Sequence, residues 1–414
     1  MKNVHFEYAK VSRRFFWFLW LTYTLVYMTK SCFGAAMASI VADGAMTKSQ
    51  TGLITSVFYI IYAPLQVVGG IFADKYDPER LVKIGLLGAA VANTVIFFNQ
   101  NYYVILVAWS LCAIAQFALW PSIFKIISSQ LYYEDRKSAT FYISFSASTG
   151  LILAYFVAAL ITKWQYNFAV SGAVLFALAI AFHLICEKIG NYMIPDVIFN
   201  KKDKKTEGTE GQPSTLSLFI KSGFMFMVVI GFCRIVVANA VKTVSSTMLM
   251  ESYVGVSPSI GNLLNMLIVG AGLLGTFLMR TLIYPKLIKN EAVAMLLMFV
   301  VALVPSIVLI FIGKVDIALS VLMMGIIACV LTAVTLVCTY CSMYFTKYGK
   351  NGTAAGVMNS AASFGIVVQS YGIARIADSF SWKTVAFVFV GIVILAIFLC
   401  VLAYPLWKRF KNVD

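Results

Sequence analysis

Two basic side chains stand in segments otherwise suited to oil. Lys30 lies in YTLVYMTKSCF (residues 23–33), and Arg234 lies in GFMFMVVIGFCRIVVANAVKTVSS (residues 223–246), which also holds Lys242. A basic side chain near a bilayer centre costs about 2.5 to 3.5 kcal/mol on insertion scales, so such residues face a watery cavity or a ligand. The chemistry open to them is anion binding. Arginine offers a planar fork for two phosphate or carboxylate oxygens, and lysine adds a compact charge.

The elements that must position these residues follow from composition. The chain has 414 residues, 61% hydrophobic and 12% charged, with a mean hydropathy of +0.88. These values exclude an ordinary soluble globular protein. Continuous apolar runs of about 20 residues recur along it, each long enough to cross roughly 30 Å of hydrocarbon as a helix. Closed barrels show alternating segments of about 10 residues instead. The expectation is an all-α membrane protein of twelve helices. The spans fall at roughly 15–42, 50–73, 80–98, 102–131, 137–161, 165–187, 217–250, 258–280, 291–313, 316–346, 352–377 and 382–407. The first run is too long for a cleaved signal peptide and is read as a retained helix.

Orientation follows from the 32 Lys and Arg residues. With a cytoplasmic N-terminus, 23 fall inside and only Lys48, Lys163, Lys314 and Lys383 fall outside, which satisfies the positive-inside rule. Both termini are then cytoplasmic, in an inner or plasma membrane. Topology and attraction to anionic lipid explain most of the net charge of +15, so nucleic acid is not an expected partner. Five basic residues remain unexplained: Lys30, Lys125, Arg234, Lys242 and Arg375.

The acids are informative by position. All 17 lie away from mid-span, and the two histidines are His5 in the tail and His183 near the end of the sixth span. A proton relay within the membrane needs such groups, and here it has almost none. Lys30 and Arg234 equally lack a mid-span carboxylate, and a buried unpaired charge is expensive unless something compensates it. A substrate anion is the natural compensator. Competing readings are bonding of Arg234 to helix carbonyls and snorkelling, which is a strong alternative for Lys125. Lys242 and Arg375 lie toward the external side, where gating or a salt bridge, for instance Arg375 with Asp378 at i+3, competes. Tyr23, Tyr27 and Lys30 share one stripe of the first helix, and Tyr62 and Gln66 share one of the second. Their phenol and amide groups can donate to phosphate oxygens, although packing is an equal reading.

The polar stretch 191–216, rich in Lys, Gly, Glu and Thr, reads as a cytoplasmic linker between six-helix halves at 1–190 and 217–414. Eight scattered cysteines, including Cys338 and Cys341, read as buried fillers, and nothing points to a metal or cofactor. No acid, histidine or nucleophile cluster is placed for chemistry, so the chain is not read as an enzyme.

These segments resemble the major facilitator superfamily, and within it the organophosphate:phosphate antiporters. The resemblance is carried by YTLVYMTKSCF, GGIFADKYDPERL (residues 69–81), QFALWPSIFK (residues 116–125), GFCRIVV (residues 231–237) and GTAAG (residues 352–356). Gly70, Asp74, Lys75 and Arg80 match the superfamily's loop between helices two and three, where the resemblance implies a gating role. In the antiporters a basic residue on helix one and an arginine on helix seven bind phosphate, which falls here on Lys30 and Arg234. The family pattern of arginine then lysine is Lys30-Ser31 here. A basic residue on helix two is replaced by Gln66, and a histidine on helix five by Ala147.

The resulting expectation is a monomeric secondary transporter that exchanges a small organic anion, a phosphorylated metabolite, for inorganic phosphate. Lys30, Arg234, Tyr27, Tyr23, Tyr62, Gln66, Lys125 and Lys242 would bind substrate, and Arg375 and Asp378 would join the gating residues. The alternatives are a proton- or sodium-coupled carboxylate or drug carrier, and a sensor that binds the anion without transporting it.

Overall fold

The structure, a computed structural model, describes residues 2–190, 215–348 and 351–411. Among them there is no strand. The helices are α1 (Lys2–Ala42), α2 (Lys48–Lys75), α3 (Pro78–Phe98), α4 (Tyr102–Ala115), α5 (Leu119–Gln130), α6 (Tyr133–Leu160), α7 (Gln165–Gly190), α8 (Thr215–Lys221), α9 (Phe224–Ser252), α10 (Pro258–Leu278), α11 (Glu291–Val308), α12 (Ile317–Met343), α13 (Asn351–Ser379) and α14 (Trp382–Lys411). A π-helical stretch, Met279–Leu287, follows α10. Helix is the only open-ended way for such apolar runs to satisfy their own backbone in lipid.

Among the described residues nine helical spans are long and apolar enough to cross a membrane, against twelve expected. The regions of the second, fifth and eleventh expected spans are helical too, as α2, α6 and α13. On α13 the run is diluted by Asn359, Ser363, Gln369, Ser370 and Arg375, whereas α6 carries a shorter apolar stretch, Phe145–Leu160. The fourth expected span is two helices. The chain tightens at Gln116–Ala118 between α4 and α5, where Gln116 keeps φ −87° and ψ −1°. The seventh is likewise broken at Gly223, whose φ of +76° suits a residue without a side chain.

The chain packs as two compact units. The first holds residues up to Met46 together with those from Ile54, through α7; the second holds residues 47–53 and everything from α8 onward. Residues 191–214, nearly all of the expected linker, lie outside the described residues.

In the first unit α1 packs on α6 and α7, and α3 on α4, α5 and α7. A core of rings and aliphatics fills it, among them Phe15, Phe33, Phe58, Trp109, Trp164 and Phe168. In lipid, helices associate by close packing, so small residues decide where they touch. Gly150 of α6 is such a point. A β-carbon there would overlap the Thr24 carbonyl oxygen and stand 2.6 Å from Tyr27 Cβ, so glycine lets α6 press on the turn of α1 just before Lys30.

In the second unit α9 is the hub, touching α10, α12, α13 and α14. Gly365 of α13 abuts Ile235, one residue beyond Arg234, where any β-carbon would collide with the Ile235 side chain. A buried carboxylate fixes one end of this unit. Glu291, with a fully buried side chain, accepts from the Tyr284 hydroxyl, the Tyr344 hydroxyl at 2.7 Å, Trp407 Nε1 at 2.8 Å and Lys411 Nζ at 3.0 Å. These donors tie the π-helical stretch, the end of α12 and the end of α14 to the first turn of α11.

Candidate anion-binding site

Lys30 is 9% exposed, in the middle of α1. Its ammonium lies 3.5 Å from the ring centroid of Tyr62, with Tyr59 at 5.3 Å, Phe58 at 5.4 Å and Tyr27 at 5.5 Å. Three of these rings come from one turn of α2, the run Phe58-Tyr-Ile-Ile-Tyr62, and the fourth is one turn back on α1. Among the described residues no carboxylate pairs with Lys30. The rings supply what negative potential there is, at roughly 2 kcal/mol or more for a desolvated cation.

Tyr23 stands behind this cage, 5.3 Å from the Tyr27 ring and 4.7 Å from Trp120. It is buried packing as much as a donor. Gln66 is half-buried on α2 and approaches the Tyr62 hydroxyl. Lys125 is half-buried on α5 and is engaged by a partner.

Arg234 is 5% exposed in the second unit. Its Nη1 donates to Thr335 Oγ1 at 2.6 Å, and its Nε has no partner. Lys242, half-buried eight residues on, donates to Thr332 Oγ1 at 3.3 Å. The two threonines are spaced i, i+3 on α12, so one face of that helix meets both cations with neutral hydroxyls. Beside them, Asn239 of α9 donates to Gln369 of α13 at 2.8 Å, and Gln369 donates to Thr243 Oγ1 at 3.1 Å. These arrangements hold two cations in low dielectric with hydroxyls and leave donors of the guanidinium unspent. That is the condition an incoming oxyanion relieves.

The expected gating residues fare differently. Gly70, Asp74 and Lys75 lie on helical backbone, but their side chains are outside the described residues. Arg80 pairs with Asp77 at 3.3 Å on a well-exposed surface, where such a pair contributes little. The expected i, i+3 pairing of Asp378 with Arg375 is not formed; Arg375 is exposed. Asp378 instead accepts from the Ser49 backbone at 2.5 Å and from the Ser49 hydroxyl, and lies 3.7 Å from Lys48 Nζ. Lys48 also pairs with Glu251 at 2.8 Å, whose carboxylate accepts from Trp382 Nε1. The physical reason is geometric. The first turn of α2 presents a cation and a free N–H to the carboxylate, whereas Arg375 is exposed.

Phe58, Tyr59, Asn239, Thr332, Thr335 and Gln369 were not singled out from the sequence. The available signals were weak but present: a third and fourth ring beside Tyr62, and hydroxyls spaced i, i+3 inside the apolar run LTAVT.

Residues 19–370 match the Major Facilitator Superfamily. The chain belongs to that superfamily. Its fold agrees with solved transporters: a bacterial homolog of the human lysosomal transporter Spinster aligns with a TM-score of 0.72 at 14% identity, covering 97% of both chains. The nucleoside transporter NupG aligns at 0.67 and 14%. Curated relatives match over shorter stretches. The membrane sensor protein UhpC of Salmonella typhimurium is 35% identical over 98 residues, 24% of this chain and 22% of the relative. A probable hexose phosphate transport protein of Chlamydia trachomatis is 25% identical over 145 residues, 35% of this chain and 31% of the relative. The matched stretches thus span less than a third of these relatives' own length. As a member of a transporter superfamily, the chain is not an enzyme.

Proposed function

We propose that this superfamily member exchanges a phosphorylated metabolite, of the sugar phosphate class, for inorganic phosphate by alternating access. The observation that carries the proposal is Arg234: 5% exposed, mid-helix, bonded to a neutral hydroxyl and, among the described residues, without an acidic partner. A guanidinium so placed is costly in the empty protein and is compensated by an oxyanion. Lys30, caged by rings in the first unit, has the same character. A carrier whose Lys30 and Arg234 have no carboxylate partner among the described residues reorients poorly without substrate, and that is the physical logic of obligatory exchange. The hexose phosphate relatives support the substrate class.

The test is labelled phosphate uptake into liposomes holding the purified protein, preloaded with or without unlabelled phosphate, beside Arg234→Gln. Uptake that needs internal phosphate and is lost in the variant is the expected result. Full uptake by correctly inserted Arg234→Gln overturns the proposal.

The match to a membrane sensor protein favours a second reading, in which the same residues bind the anion and no exchange follows. Phosphate-dependent thermal stabilisation without counterflow in liposomes identifies that case.

A further inference from the structure

Between Cys233 and Leu249 nearly every residue of α9 is buried, and four are only half-buried: Ile235, Asn239, Lys242 and Thr243. Their spacing, i, i+4, i+7 and i+8, places them on one stripe of the helix. That stripe carries a fixed direction of hydrogen bonding. The Thr243 hydroxyl donates to the Asn239 carbonyl at 2.8 Å, so toward Gln369 it can only accept. Gln369 therefore presents its Nε2 to Thr243, at 3.1 Å, and its Oε1 to Asn239. Asn239 in turn must give its Nδ2 to Gln369, at 2.8 Å. A carboxamide has two ends, and with the amino end committed the carbonyl end, Oδ1, is left as an open acceptor. Gln369 is 1% exposed and also takes a bond from Ser370 at 3.4 Å, so it has no freedom to invert.

An acceptor is out of keeping with its neighbours. Arg234 and Lys242 offer only donors, which suit the oxygens of an anion and nothing that carries a hydrogen. Asn239 lies five residues from Arg234, about 7.5 Å along the helix axis, and one turn from Lys242. Arg234 lies off this stripe, but Lys242 shares with it the threonine face of α12 and shares the stripe with Asn239, so the substituent of a phosphate held by Arg234 reaches Asn239 by way of Lys242.

We propose that Asn239 Oδ1 is a specificity determinant that accepts a hydrogen bond from a hydroxyl on the carbon skeleton of a phosphate ester, with Gln369 and Thr243 as its positioning residues. The inference rests on the reading of Arg234 as the anion's partner, and within the sugar phosphate class it names the side chain that reads a carbon hydroxyl. A buried acceptor left unmatched is what rejects analogues lacking the hydroxyl.

The test compares two esters of equal charge and chain length, glycerol 3-phosphate and n-propyl phosphate, as inhibitors of labelled-phosphate exchange in liposomes. Because both carry the same phosphate monoester, a proton on phosphate itself affects them alike, and only the carbon hydroxyls differ. The expected result is a preference for glycerol 3-phosphate that falls about tenfold in Asn239→Leu and also falls in the isosteric Thr243→Val, which releases the direction of the relay. A preference that survives both variants, or wild-type protein that binds the two esters equally, overturns the inference while leaving phosphate exchange standing. Absence of phosphate exchange in wild-type protein removes the anion reading itself, and this inference with it.

Discussion

The ammonium of Lys30 stands 3.5 Å from the ring centroid of Tyr62, closer than to any other ring of its cage. Among the described residues the ring face is the nearest thing to a counter-charge that Lys30 has. Tyr62→Phe keeps the face and Tyr62→Leu removes it. Leucine at this position is expected to destabilise the empty protein by about 2 kcal/mol, and phenylalanine by much less. Phosphate should restore much of the leucine variant's loss, since a bound anion supplies the missing partner. Thermal unfolding in detergent, with and without phosphate, checks this; equal behaviour of the two variants would show that the ring only fills space.

Thr335 holds the fork of Arg234 by one hydroxyl. Thr335→Val has nearly the same volume and no acceptor, so the guanidinium loses its orienting bond. The half-saturating phosphate concentration for exchange is expected to rise about tenfold, the size of one well-formed bond to a charged group. Thr335→Ser keeps the oxygen and should stay near wild type. If valine and serine behave alike, the hydroxyl does not position Arg234.

What the sequence makes legible here is charge out of place. Lys30 and Arg234 stand out because any charge in an oily run demands an explanation, and the all-helical, membrane-spanning character follows from the same runs. Their partners are harder to read because they are ordinary residues. Thr335 lies 101 positions from Arg234 and is one hydroxyl among many in apolar helices. Asp378 shows the limit most clearly. Local spacing favours Arg375, one turn away, but the carboxylate goes to Ser49, 329 positions distant. Helix periodicity constrains neighbours on one helix and carries no information about which foreign turn arrives beside it. Glu291 stands at the first residue of the ninth expected span, yet nothing local marks it as the centre of a buried network.

That network makes a stability prediction. Glu291→Gln sets an amide N–H against donors that now meet carboxylate oxygens, including Trp407 Nε1 at 2.8 Å and Lys411 Nζ at 3.0 Å. A loss of roughly 3 kcal/mol is expected, as for breaking a buried pair. Lys411→Met should cost clearly less, because Lys411 is 21% exposed and Glu291 keeps its tyrosine and tryptophan donors. Thermal unfolding of the two variants ranks them, and a larger loss from Lys411→Met would mean that the ion pair, and not the neutral donors, holds the carboxylate.

The cluster around Lys48 gives the remaining prediction, and exposure decides its size. Arg80 and Asp77 have side chains 80% and 45% exposed, so water screens their attraction. Lys48 and Glu251 are 13% and 26% exposed at 2.8 Å, and Trp382 Nε1 donates to the same carboxylate oxygen, Oε2. The same nominal interaction should therefore be stronger at the second pair. A double-mutant cycle with Lys48→Met and Glu251→Gln is expected to give a coupling of about 1 to 2 kcal/mol, and one with Arg80→Met and Asp77→Asn less than about 0.5. Asp378 adds a condition to the first cycle, because Lys48→Met leaves it and Glu251 as two carboxylates sharing no cation. The single Lys48→Met variant should thus lose more stability than Glu251→Gln, which leaves Lys48 paired with Asp378 at 3.7 Å. Measured unfolding free energies in the reverse order would show that Ser49, and not Lys48, is what holds Asp378 and the first turn of α2 in the second unit.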